Sequence, residues 1–394
     1  MDLARKVADP QWWRKDIDSL TSSLIAAGAA SALLVVYWSR CPKYIADVPS
    51  KMQVLHLVNG DVDLEKVLLK VEAVDTPVPR PGQVLVKMAA APINPTDAGE
   101  WRHKSRSSHP QQLGIEGSGI VVATGGGLLG RFLLGRKVGV IGARTYGEYA
   151  VTSALGGALP LPARLPVEDG CSFFINPFTV IGMVDTARSL GAKAFINTGA
   201  ASQLGIMLAG YCAAKGVTLV SLVRGPQQAQ RLQKAGSKYV VDTSKHSWEE
   251  ELSTIVRAEK IRLAFDCLSG KATGIMLRAL PPGSTVFVYG GLADEQMGNI
   301  AIADLIYKRK KLKGWLLTKW LWDSGVWRGL WRLYATHREV SQLLDTTFAT
   351  AFKDVSLDTA FSIYKDWRKG SKLRILLNAA EAARAFEQDS VPFR

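Results

Sequence analysis

Apolar residues recur in distinct rhythms along the chain. From residue 52 to about 165 they come in short runs broken by proline and glycine. Met52–Val58 and Gly82–Ala89 read as strands, and Val84, Val86 and Met88 alternate toward one face. Pro77, Pro79 and Pro81 break the chain between these two runs. Gly114–Ala123, Lys137–Ala143 and Tyr146–Thr152 add further strands, with Gly125-Gly126-Gly127 as a turn. This pattern predicts an antiparallel β domain. Residues 166–185 turn helical, and from 193 to about 306 the rhythm becomes strand–helix–strand, with Arg262–Cys267 and Ser284–Tyr289 as buried strands around a helix from Lys271 to Leu280.

The most informative stretch is Ala194–Arg224. Ala194–Asn197 is a short apolar run that enters the small-residue turn Thr198-Gly199-Ala200-Ala201-Ser202. Leu204, Met207, Leu208 and Tyr211 follow at helical spacing, Gly216 closes the helix, and Val217–Val223 is almost wholly apolar. Small residues running into a helix N-terminus let backbone N–H groups approach a phosphate, which the helix dipole favours. The outline is that of a dinucleotide site, although Gln203 stands where many such loops keep a glycine. Gly290-Gly291 directly follows another strand. In an open parallel sheet, ligands lie beyond the carboxyl ends of the strands, so both turns are expected to share one cleft.

A different rhythm precedes these domains. Leu20–Trp38 is nineteen residues long without a charge, about the minimum for a helix that crosses a bilayer. Trp12, Trp13, Tyr37 and Trp38 sit where interfacial aromatics belong, and Ala27–Ala32 form a small-residue face suited to another membrane helix. The alternative is a buried Ala-rich core helix. Asp16 and Asp18, and the lack of a small-x-small site, argue against a signal peptide. Basic residues flank both ends, so they set no orientation.

Composition narrows the partners. The chain has 394 residues and a net charge of +14. It shows no nucleic-acid-binding signature, so nucleic acid is not an expected partner. Cys41, Cys171, Cys212 and Cys267 are scattered and the five histidines dispersed, so no metal site is expected. Between 305 and 372 there are 14 basic residues against 6 acidic ones, together with Trp315, Trp320, Trp322, Trp327 and Trp331. Such a segment suits a membrane interface or a partner surface, or equally a solvated face over an aromatic core.

Eight segments, in order, resemble the zinc-independent medium-chain dehydrogenases/reductases, and within them the quinone oxidoreductase and mitochondrial 2-enoyl thioester reductase-like branch. They are Ala91–Asp97, Gly114–Val121, Ile175–Thr179, the turn at 198–204, Arg262–Lys271, Val288–Leu292, Lys311–Trp320 and Gly370–Leu376. The resemblance covers residues 52 to about 378. It implies an α/β architecture in which a GroES-like β domain (52–170 and 320–378) surrounds a Rossmann domain (171–319), with NADPH between them and no zinc. The remaining pieces are an extension at 1–19, the membrane helix at 20–38, a linker at 39–51 and a polar helical tail at 379–394. The family branch implies mitochondria, and with the apolar run this gives a single-pass protein of the mitochondrial inner membrane.

Carried onto this sequence, the resemblance places Asn176 and Thr179 near the nicotinamide. Ala201, Ser202, Gln203 and Leu204 would face the pyrophosphate, and Tyr289, Gly290, Gly291, Trp315, Leu316, Leu317 and Lys372 would complete the pocket. Arg224 ends the second Rossmann strand, where NAD-specific proteins commonly place an acid, so NADPH is favoured over NADH. The enoyl reductases carry a tyrosine shortly after the motif Asn94-Pro95-Thr96-Asp97, and none follows here; the position falls near Ser105. Asn94, Thr96 and His103 remain as candidates, since a histidine titrates in the needed range. Two functions compete: a membrane-anchored NADPH-dependent reductase of quinones or enoyl thioesters, and a catalytically inactive accessory subunit of a membrane complex that keeps the nucleotide fold. A third, a regulator without membrane contact, requires Leu20–Trp38 to be buried.

Overall fold

The computed structural model describes residues 42–103, 111–293, 295–366 and 372–377. Strand β1 (Lys43–Tyr44) leads to the hairpin of β2 (Lys51–Asn59) and β3 (Leu68–Asp75), and then to the long β4 (Gln83–Pro92). After helix α1 (Pro95–His103) come β5 (Gln111–Gln112) and β6 (Glu116–Thr124). Helix α2 (Leu128–Leu133) precedes β7 (Lys137–Ile141), β8 (Tyr149–Ser153) and β9 (Ala158–Pro160). Val84, Val86 and Met88 of β4 enter one core while Leu85 enters another, the two-residue alternation of a strand covered on both faces. Strand β6 is buried throughout. Its Gly119 permits the contact with β4, because a Cβ there would lie 2.1 Å from the Lys87 carbonyl oxygen.

Helix α3 (Ile175–Ser189) then carries the chain to a second sheet. Its strands are β10 (Ala194–Asn197), β11 (Thr218–Val223), β12 (Tyr239–Asp242), β13 (Leu263–Asp266), β14 (Thr285–Val288) and β15 (Lys311–Gly314). The helices between them are α4 (Gln203–Ala214), α5 (Pro226–Lys234), α6 (Trp248–Ala258), α7 (Lys271–Ala279) and α8 (Ile302–Ile306). Every pairing is parallel, in the order β12-β11-β10-β13-β14-β15. That is the doubly wound dinucleotide-binding arrangement, with its switch point between β10 and β13.

Helices α9 (Leu317–Trp322) and α10 (Val326–Leu343) follow; Leu321, Leu333 and Val340 pack into the core shared with α3 and α4. The chain then returns to the first sheet. Strand β16 (Phe352–Val355) runs parallel to β17 (Lys372–Leu376), which pairs antiparallel with β4; helix α11 (Ala360–Asp366) lies between them. The parallel sheet is thus inserted between two parts of the mainly antiparallel one.

One expectation is corrected. No helix among the described residues is long and apolar enough to cross a membrane. The 18-residue α10 is amphipathic, carrying Arg328, Arg332, Arg338 and Glu339. The segment Leu20–Trp38, on which the transmembrane helix was expected, lies outside the described residues, as does the tail at 379–394. A single-pass protein of the mitochondrial inner membrane is therefore withdrawn as the reading of this chain.

Candidate functional site

The first part of the site is the carboxyl edge of the parallel sheet. Gly199 takes a φ of +59°, a conformation that favours glycine, and a Cβ there would lie 2.4 Å from Cys267 Sγ. Ser202 caps α4, its side chain accepting from Gly205 N at 3.1 Å. Gly205 is also required by packing: its Cβ would fall 2.3 Å from the Ala200 carbonyl oxygen. The helix therefore starts tight against the turn. The first-turn amides of Gln203 and Leu204 have no carbonyl within the helix to donate to and project beyond it.

A buried carboxylate holds this turn from below. Asp266 Oδ1 accepts from Thr198 Oγ1 (2.8 Å) and from the amides of Leu268 (3.0 Å) and Ser269 (3.3 Å), while Oδ2 accepts from Thr273 Oγ1 (2.6 Å). Thr198 Oγ1 in turn accepts from Cys267 N at 2.9 Å. Cys267 also underlies the second glycine turn, since a Cβ on Gly290 would lie 3.1 Å from its carbonyl oxygen. The two turns do share one edge. The Tyr289 hydroxyl donates to Asn197 Oδ1 at 3.1 Å, and burial holds its pKa well above the ordinary phenol value. Asn197 Nδ2 is buried with no partner among the described residues. At the end of the neighbouring strand, Arg224 is exposed; Asp242 Oδ1 braces the following turn by accepting from Gly225 N at 2.7 Å.

The second part centres on Glu116, fully buried on β6. Its Oε1 accepts from Asn94 Nδ2 at 2.9 Å and from Lys372 Nζ at 3.3 Å. Its Oε2 accepts from Ile175 N, the first residue of α3, at 2.9 Å. One carboxylate thus collects the β4–α1 turn, the start of β17 and the N-terminus of the helix that carries Asn176 and Thr179. Behind it, Asp97 Oδ2 accepts from Asn94 N at 2.8 Å, and Asp97 Oδ1 is buried without a partner among the described residues. Burial pushes the Asp97 carboxyl up to about 7, against the opposing effect of the Asn94 amide. Tyr146, whose hydroxyl donates to the Pro92 carbonyl at 3.1 Å, lies beside it, and burial likewise drives its pKa up.

The expected residues divide by what their side chains do. Asn94 and Lys372 meet on Glu116, and Asn176 follows directly on the amide that Glu116 holds. Thr179 is buried on α3, while Thr96 is exposed. Ala201 and Leu204 pack on the core, which leaves only their backbone for the expected role. Gln203 departs from the expectation: its Nε2 is committed to the Ala349 carbonyl at 3.0 Å. Trp315 turns its indole onto α3, donating to Thr186 Oγ1 at 3.1 Å; Leu316 is exposed and Leu317 is in the core. His103 ends α1, and its side chain is outside the described set, as is Ser105. Trp101 is buried edge-on against Phe361 and Tyr364, and so packs the core. Glu116 was missed, although a lone acid inside the otherwise apolar run Gly114–Ala123 was the available signal. No group of three or more His, Cys, Asp or Glu among the described residues could hold a metal.

A mainly antiparallel β domain interrupted by a 3-2-1-4-5-6 parallel sheet, with a glycine turn at the switch point, defines a two-domain class built around a dinucleotide-binding fold. The comparisons agree: the alcohol dehydrogenase GroES-like domain matches residues 80–162 and the zinc-binding dehydrogenase family matches residues 203–336. The chain belongs to the medium-chain dehydrogenase/reductase superfamily. It is 29% identical over 251 residues to the mitochondrial enoyl-[acyl-carrier-protein] reductase of Bos taurus, covering 61% of this chain and 66% of the bovine protein's length. Among solved structures it is similar to a Mesorhizobium loti protein assigned as an NADPH:quinone reductase. That match has a TM-score of 0.74 and 26% identity, and covers 84% of this chain and all of the other. A mycobacterial protein solved with NADPH shares the fold, at a TM-score of 0.67 and 18% identity over 82% of this chain and 99% of that one.

Proposed function

We infer that the protein is an NADPH-dependent reductase of the quinone and enoyl reductase type. The observation that carries this reading is the turn Gly199–Ser202 packed against α4, with exposed Arg224 at the end of the adjacent strand. The projecting amides and the α4 dipole suit a pyrophosphate, and the guanidinium suits the adenosine 2′-phosphate. Residues fit the group without rearrangement: glycine stands where a Cβ would collide, and no acid ends β11 to repel the phosphate. When bound, the dinucleotide supplies the hydride. The chain's part is to hold the acceptor against it, with Asn94 and Lys372 presented by Glu116 beside the start of α3.

Between a quinone and an enoyl thioester, the site favours the quinone. Reduction of the alkene needs a proton delivered to carbon, and the stretch after Asp97 offers no phenol, with Trp101 sealed in the core. Quinone oxygens take their protons from water. Nothing in the fold or the comparisons favours an inactive subunit. The test is a titration of the protein with NADPH and NADH, followed by NADPH oxidation with 1,4-benzoquinone and with a trans-2-enoyl thioester. NADPH is expected to bind more tightly than NADH, and the quinone to turn over faster. A protein that binds neither nucleotide would overturn the reading.

A further inference from the structure

Away from the cleft, a cavity of about 220 Å³ is lined by residues of α3 and α10, together with Tyr211 of α4 and Trp320 of α9. It lies on the other half of α3 from the Glu116 contact. Ile175 and Asp185 are ten residues apart, about 15 Å along the helix axis. Ile181 and Val184 of α3 give it apolar, buried lining, and Ala335 of α10 adds a small side chain to the lining.

The charges around it are unevenly satisfied. Asp185 Oδ2 accepts from Trp320 Nε1 at 2.8 Å and pairs with Arg332 at 3.5 Å. Glu339 pairs with Lys215 at 2.5 Å. Both acids that line the cavity are therefore neutralised by groups already in place. Of the cations, Arg332 is further fixed over the Trp320 ring, with 5.1 Å to its centroid, and Arg188 spends one NH2 on the Lys215 carbonyl at 3.0 Å. Arg328 lines the same space with no partner among the described residues. The result is a cavity lined by aromatic and apolar side chains with a surplus of positive charge. Its volume is below the 300–1,000 Å³ typical of drug-sized sites, which is too small for a dinucleotide.

We propose that this cavity is a second ligand site, separate from the nucleotide cleft, for a small planar anion with an apolar body: an aromatic carboxylate or sulfonate of one or two rings. The ring lies on Ile181 and Val184 between the Trp320 and Trp331 side chains, and the anionic group faces Arg328 and Arg188. Arginine's planar fork matches a carboxylate or sulfonate, and its stacking on indole requires little further ordering.

The probe is naphthalene-2-sulfonate, titrated into the full chain and followed by its fluorescence and by calorimetry. One high-affinity equivalent is expected, retained when NADPH is saturating. Ala335→Trp fills the space and abolishes that equivalent, while Arg328→Glu, at an exposed position, weakens it at least tenfold without lowering Tm. Failure of the wild-type chain to bind one equivalent would overturn the proposal. So would displacement of the probe by NADPH, or an unchanged affinity in Arg328→Glu, whatever the fate of the filled variant.

Discussion

Two buried carboxylates organise the two halves of the site, and they do it with different donors. Asp266, beneath the phosphate turn, is satisfied by two hydroxyls and two amides from residues 198 to 273, all within the parallel-sheet unit. Glu116 collects a side-chain amide, an ammonium and a helix N-terminus from three separate parts of the fold. Asp266 therefore ties the turn after β10 to the turn after β13 within one sheet, whereas Glu116 fastens the β domain to the first helix of the nucleotide unit. The contrast teaches that burial of an acid does not by itself report its role. The origin of its donors does, and so does whether one oxygen is served by a hydroxyl alone, as Asp266 Oδ2 is by Thr273, because a hydroxyl can rotate and accept.

The sharpest way to break this comparison is to remove Glu116. Glu116→Leu leaves Lys372 Nζ and the Ile175 amide buried without an acceptor, a loss of about 3–5 kcal/mol for breaking a buried pair. Chemical denaturation should show it, together with loss of NADPH oxidation. A variant that keeps wild-type stability would mean that water replaces the carboxylate at no cost.

The two poles differed in how readable they were. The phosphate turn is local: Gly199, Ser202 and the apolar strands on either side are contiguous, so period and turn chemistry reveal them. Glu116 is not, because its donors lie 22, 59 and 256 residues away. Only the lone acid in an apolar strand hinted at it. Strand β3, with its mixed LLKVEAVD pattern and no fully buried position, escaped notice because neither face is sealed. The tryptophan-rich segment divides between core and surface. Trp315, Trp320 and Trp322 pack against the core, while Trp327 and Trp331 are 83% and 68% exposed.

The next effect is on pH. Asp97, beside Asn94, has its folded-state pKa raised to about 7, above the ordinary carboxylate value. The folded state therefore holds a proton that the unfolded chain releases near pH 4. Stability contributed by this group is fully present below that pH and is lost as pH rises through about 7. The slope reaches about 1.4 kcal/mol per pH unit within that window. Asp97→Asn, which cannot ionise, should flatten the fall of Tm between pH 4 and 7. An identical profile in the variant would show that Asp97 ionises freely in the folded protein.

Isosteric amides test the donor argument directly. In Asp266→Asn the new NH2 can take the Oδ2 position, where its single partner, the Thr273 hydroxyl, can turn to accept. The loss should stay below about 1 kcal/mol. In Glu116→Gln neither orientation works. The NH2 faces either the Ile175 amide or the Asn94 and Lys372 donors, so about 1–3 kcal/mol is lost. Paired urea titrations decide it, and equal losses would remove the distinction between the poles.

The smallest effect separates recognition from scaffolding at the nucleotide pole itself. Arg224 makes no side-chain bond among the described residues and is exposed, so Arg224→Gln should change stability by less than about 0.5 kcal/mol. Its whole contribution should appear in nucleotide choice: NADPH affinity falls about tenfold, near 1.4 kcal/mol, and NADH affinity is unchanged. Asp242 sharpens the test, because its carboxylate already binds Gly225 N and Ser244 N, at 2.7 and 3.0 Å. Those bonds, with the Ser244 hydroxyl, hold its pKa below the ordinary carboxylate value, so at neutral pH it remains a negative charge beside the turn. Without the guanidinium to offset it, a 2′-phosphate meets net repulsion there, while NADH offers only a hydroxyl. A parallel fall for both nucleotides would mean that Arg224 shapes the turn rather than reading the phosphate.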